Sequence, residues 1–204
     1  MREMVGLSKH SKGLLVFTCV ALFLSAISMA KPWYGYTIVG YNHGSAEFYT
    51  SFYEYNSNGI SSYQDLYESP VANTMGVEWF LITVWFIVGL YVIWSLTREE
   101  DPFIPAVLLA TVSAAFVLNF SLRFAGALYQ DFGIPDSEGF FGGTITVSSA
   151  SGTSTITLGP ESGFALALAA SAIQIAAIVL WVSMTHVRIR KNRPEPYEAP
   201  VKPQ

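Results

Sequence analysis

Four long apolar runs constrain this chain more than any other feature. Crossing the hydrocarbon core of a bilayer takes roughly 20 residues of helix. Residues 13–30, 77–96, 103–128 and 163–184 each reach that length or come close to it. The first run carries no charge. The second has Glu78 at its start and three tryptophans, Trp79, Trp85 and Trp94. The third is interrupted by Asn119 and Arg123, and the fourth is alanine-rich with Gln174 as its strongly polar residue. A bilayer offers no water to free backbone groups, so runs of this kind cross it as helices. The expectation is one membrane domain over 1–204, an all-α four-helix bundle.

Composition enters as support. Only 13% of the residues are charged, about half of the ~25% usual in soluble domains. That argues against a soluble enzyme and excludes a disordered, collagenous or nucleic-acid-binding chain. The single cysteine, Cys19, rules out an intramolecular disulfide and a multi-cysteine metal site.

Basic residues collect on the cytoplasmic side of a membrane protein. Arg2, Lys9 and Lys12 precede the first run, and Arg98 lies between the second and third. Arg188, Arg190, Lys191, Arg193 and Lys202 follow the fourth, leaving Lys31 at a membrane edge and Arg123 inside a run. The connections 31–76 and 129–162 hold Glu47, Glu54, Asp65, Glu68, Asp131, Asp136, Glu138 and Glu161 but no Lys or Arg besides Lys31. Both termini, including a tail over 185–204, are therefore expected in the cytoplasm and both long loops outside, in a plasma or cell membrane. Residues 2–30 also resemble a secretory signal ending at Ser28-Met29-Ala30. The long basic lead and long apolar run favour an uncleaved first helix.

The outer loops are patterned for strands. The first is crowded with aromatic residues, among them Tyr34, Tyr36, Tyr41, Phe48, Tyr49, Phe52, Tyr53, Tyr55 and Tyr63, a composition that favours a sheet. Residues 47–56 and 60–66 read as a hairpin about Asn58-Gly59, with a further strand over 34–41. In the second loop, 144–149 and 153–158 alternate Thr or Ser with Ile, Val or Leu, the period of a half-buried strand. An isolated hairpin is marginal in water. The two loops are accordingly expected to join in one small extracytoplasmic antiparallel sheet. The tyrosines either pack that sheet or form a contact surface, for which Tyr49, Tyr53 and Tyr55 are the candidates. The proline-rich end, 194–203, reads as extended.

No catalytic constellation is legible. His10, His43 and His186 fall in separate regions, and no metal-ligand spacing, phosphate loop or paired intramembrane carboxylate occurs. No cofactor is expected. Arg123 is the charge that calls for an explanation, because a charge within a span is costly unless it is paired or snorkels to the interface. Asn119 lies one turn away, and Glu78 and Glu161 are at similar depth. The expectation is a structural ion pair between Arg123 and Glu78 or Glu161, with an ion or substrate pathway as the alternative. The alanines of the fourth run, and Ala110, Ser113, Ala114 and Ala115 of the third, suit close helix packing. The second run, rich in Trp and Phe, looks lipid-facing or partner-facing.

Trp33 just after the first run, the Asn58-Gly59 hairpin, the tight turn at 97–102 and Arg123 near the outer end of the third run together form a layout. It resembles the claudin-like tetraspan superfamily over nearly the whole chain. That family's loop joins two cysteines, for which this loop has no counterpart, and the end Val-Lys-Pro-Gln lacks its frequent partner-binding motif. The resemblance implies four helices under an outer sheet, and adhesion or barrier work. The functional expectation is a non-enzymatic integral membrane protein. Its partners would be the lipid bilayer and other membrane proteins or further copies of itself, met through the tyrosine-rich outer sheet. An accessory subunit of a larger membrane complex is the alternative, and a channel or transporter a more remote one.

Overall fold

The computed structural model describes residues 9–41, 43–49, 52–57, 60–65, 70–98, 100–132, 142–150 and 152–191. Helix α1 runs over Lys9–Met29, α2 over Pro70–Thr97, α3 over Phe103–Phe132 and α4 over Ser162–Lys191. All four are long and apolar enough to cross a membrane. Each outlasts the apolar run that announced it. Helix α2 starts at Pro70 rather than 77, because proline in a first turn forfeits no helical hydrogen bond and Asn73 and Thr74 are tolerated there. Helix α3 begins where Asp101 Oδ1 accepts the Phe103 N–H at 3.0 Å, a capping contact that satisfies an otherwise orphaned donor. It continues past 128 to Phe132.

Helix α1 packs on α4 and α2, and α3 packs on α2 and α4, closing a four-membered ring. Polar bonds stitch it internally. Gln174 Nε2 donates to Thr18 Oγ1 at 3.1 Å, joining α4 to α1. The Ser171 hydroxyl donates to the Ser113 carbonyl at 2.6 Å, joining α4 to α3. The alanines of α4 divide: Ala167, Ala170 and Ala177 are buried, whereas Ala165, Ala169, Ala172 and Ala176 are exposed. The tryptophans of α2 divide as well. Trp85 is buried and stacked on Phe116 at 5.2 Å, while Trp79 and Trp94 face outward.

Strands β1 (Tyr34–Gly40), β2 (Gly44–Phe48), β3 (Phe52–Ser57) and β4 (Ile60–Asp65) lie between α1 and α2 in the chain. Strands β5 (Gly143–Ser149) and β6 (Gly152–Pro160) lie between α3 and α4. They form one antiparallel sheet in the order β4-β3-β2-β1-β6-β5. The chain reverses inside the 47–56 segment read from sequence as a single strand. The Tyr49 N–H donates to the Phe52 carbonyl at 2.9 Å, and Phe48 folds back onto Tyr53 with ring centroids 5.6 Å apart. Stacking two rings that an unbroken strand would hold apart gives the reversal its reason. Asn58-Gly59 and the 194–203 tail lie outside the described residues.

Candidate functional site

The junction between sheet and bundle centres on Trp33, which is fully buried. Its indole N–H donates to the Ser28 carbonyl at 2.9 Å, at the end of α1. Its backbone N–H donates to Phe48 O at 2.7 Å, and its carbonyl accepts from Glu161 N at 2.9 Å. The ring lies 5.1 Å from Phe120 and 6.2 Å from Phe164. One residue thus ties together α1, β2, α3 and the start of α4. Gly163 makes this possible: its N–H donates to Pro32 O at 2.8 Å. A Cβ there would sit 2.5 Å from Trp33 Cδ1 and 2.6 Å from two backbone carbonyls. The sequence shows Trp33 only as an aromatic after a span and Gly163 only as a span's first residue. Their partnership depends on a contact between distant parts of the chain.

The sheet turns one face to the bundle. Tyr34, Tyr36, Ala46, Phe48 and Leu158 are buried on it, adjacent through the pairs Tyr34↔Phe48, Tyr36↔Ala46 and Tyr36↔Leu158. Phe124 of α3 meets Tyr34 at 5.0 Å and Phe48 at 5.6 Å. Tyr53 and Tyr55, registered against Phe48 and Ala46, are half-buried and pack on this core. Tyr49 sits at a strand end, stacked on Phe52 at 4.5 Å, its hydroxyl donating to Glu47 Oε2 at 3.0 Å. Burial disfavours the phenolate. It pushes Tyr34 up to about 12, and with a smaller contribution from Tyr55 and Tyr53 it pushes Tyr36 up to about 12 as well.

The other face is polar. A groove of 340 Å³ opens over Gly35, lined by Thr37, Ser45, Thr157, Glu47 and Glu161 among others. Glu161 leans over Gly35 so closely that a Cβ there would lie 3.0 Å from its Oε1. Glu47 stands directly opposite Glu54 on the next strand. No family model and no curated protein matches the chain. Among the described residues no group of three or more His, Cys, Asp or Glu is placed to hold a metal.

The far end of the same sheet is apolar and open. Val39, Tyr41, Ile60 and Val147 are 56%, 64%, 74% and 43% exposed. They sit at the ends of β1, β4 and β5 away from Trp33, and all lie beyond the candidate spans.

Arg123 is exposed, and its Nη1 donates to Asn119 Oδ1 at 3.5 Å. Asn119 Nδ2 in turn donates to Glu78 Oε1, and Glu78 is fully buried. Arg123 therefore reaches Glu78 through Asn119, across the α2–α3 contact. Glu161 is elsewhere, over Gly35. Among the described residues neither carboxylate makes a direct ion pair with Arg123. Asn119 is the link between the two charges, and its spacing of one helical turn from Arg123 is the sequence signal for it.

Proposed function

We propose that the chain is a non-enzymatic integral membrane protein whose sheet stands outside the cell and makes lateral or cell-surface protein contacts. The observation that carries this reading is the open apolar rim of Val39, Tyr41, Ile60 and Val147. Apolar side chains on a helix that crosses a bilayer are covered by lipid. These four lie beyond the helices, where exposed apolar groups mark association sites. Charge supports this orientation: Lys12 and Arg98 lie at the end of the bundle away from the sheet, and Glu47, Glu54, Asp65 and Glu161 lie in or beside the sheet. The layout of four helices with strands after the first and third also resembles that of claudin-like tetraspan proteins. The Arg123–Asn119–Glu78 relay serves as a brace between α2 and α3 beneath the sheet.

The test is gentle solubilisation with blue-native electrophoresis and identification of whatever co-migrates. The chain is expected in an assembly larger than its own mass. Replacing Val39, Tyr41 and Ile60 by serine is expected to release a co-migrating partner from that assembly with the melting temperature unchanged. A chain that runs alone in both forms overturns the reading. Alanine at Tyr49, at the Trp33 end of the sheet rather than in this rim, is expected to weaken association with the melting temperature unchanged. Alanine at Tyr53 or Tyr55 is expected to lower stability as well, because those rings pack on the core.

A further inference from the structure

Strand β5, Gly143–Ser149, has β6 as its one strand neighbour among the described residues, so its other edge presents a row of backbone donors and acceptors. Natural sheets guard such edges with lysine, proline, inward-pointing charge or a bulge. The sequence of β5, GTITVSS, contains no charge and no proline, and it runs in unbroken register with β6 from Gly143↔Leu158 to Ser149↔Gly152. The opposite edge differs. Across β2, β3 and β4 lie Glu47, Glu54 and Asp65 with no basic residue. Two copies meeting through that side would bring like charges together, whereas β1, β6 and β5 carry none.

We infer that β5 pairs antiparallel with β5 of a second copy of this chain, joining the two sheets into one across a two-fold axis through Thr146. This deepens the proposed reading of the sheet as a contact surface and rests on it. The order of residues in the strand supports the inference. About Thr146, an antiparallel pairing sets Ile145 against Val147 of the second copy and Thr144 against Ser148. Thr146 meets its own counterpart. These are β-branched and Thr–Ser pairs, the kinds that stabilise cross-strand contacts. The strand is self-complementary in the way a two-fold interface requires.

Burial agrees with this pairing. Thr144, Thr146, Val147 and Ser148 are exposed, and Ile145 is packed on the core. Pairing would cover Val147, the apolar side chain of this edge that the single copy leaves open, with Ile145 of the second copy. One bilayer holds both copies at the same height, so a short strand suffices where it would not in solution.

The experiment uses the full chain in liposomes, with Cys19 replaced by serine so that introduced cysteines are the only ones. Thr146→Cys is expected to form a disulfide-linked dimer under mild oxidation, and Ser61→Cys on β4 is expected to remain monomeric. Separately, two differently tagged copies are co-reconstituted and captured through one tag. Thr146→Lys alone and Thr146→Glu alone are each expected to lower co-capture about tenfold, as ~1.4 kcal/mol of repulsion would. Mixing the two variants is expected to restore it. If either variant fails to fold by tryptophan fluorescence, Thr144→Lys mixed with Ser148→Glu tests the same register.

Co-capture that survives both single charges overturns the inference, as does crosslinking at Ser61 in place of Thr146. If the tagged copies never co-capture yet the rim variants release another co-migrating chain, the edge pairing falls and the sheet reading stands. If the chain associates with nothing, both fall.

Discussion

Trp33 and Gly163 show how a single pair of residues carries the joint between two structural layers. The glycine is needed because its N–H must reach Pro32 O while the indole passes over it. Gly163→Ala is therefore expected to destabilise the protein by about 1–3 kcal/mol, the usual cost of forcing a methyl into filled space, read as a lowered melting temperature in detergent. Trp33→Phe keeps most of the ring packing and loses the bond to Ser28 O, so about 1 kcal/mol is expected. At Asn119 the logic is one of satisfaction. Asn119→Leu removes the donor from Glu78 Oε1, and a buried acceptor stripped of its partner costs about 1–3 kcal/mol. Glu78→Gln, which still offers an oxygen to Asn119, is expected to melt closer to the parent. The residues behind these predictions are all visible in the sequence. The contacts of Trp33 with Gly163 and of Asn119 with Glu78 are not, because they join segments that are remote in the chain.

At the level of elements, strand β1 holds the sheet together and carries its most buried phenols. Tyr34 and Tyr36 both stand near 12 in the folded protein against an ordinary 10. A pKa raised on folding means the unfolded chain releases its proton first. The stability tied to the neutral phenols is then complete below pH 10 and is lost as the pH climbs through about 12. The melting temperature is expected to fall over that window, and less steeply in Tyr34→Phe and Tyr36→Phe, whose rings stay neutral. Gly40 closes the same strand with φ of 137°, and a Cβ there would meet Thr153 O at 2.4 Å. Gly40→Ala is expected to weaken the sheet while leaving the helical far-ultraviolet signal intact.

Element type was legible here from run length, aromatic content and alternation. Long apolar runs with little charge became helices, and Thr/Ile alternation became β5 and β6. The reversal at 49–52 was hidden, since an aromatic-rich stretch reads as strand throughout. It took the stacking of Phe48 on Tyr53 to turn the chain back.

For the molecule as a whole, the proposed orientation makes a direct prediction. In the Cys19→Ser background, Tyr41→Cys is expected to react with a membrane-impermeant maleimide added outside intact cells. Arg98→Cys is expected to react only after the membrane is opened. The reverse pattern would invert the topology and with it the reading of the sheet as an outer contact surface. Helix number and charge asymmetry could be read from sequence because each is additive along the chain. The joining of β1 to β6 could not, because it is a choice of partner among strands.

That choice has a consequence for how the protein is made. Strand β1 lies between β2 and β6, yet β6 is synthesised after three of the four helices. Until β6 is made, the edge of β1 that will receive it stays open, with β2 as the single strand paired to β1. A ribosome paused after α3 would leave the cell holding a membrane-anchored sheet with a sticky central strand, a species prone to aggregate. The sheet of this protein thus closes only with the arrival of its final hairpin.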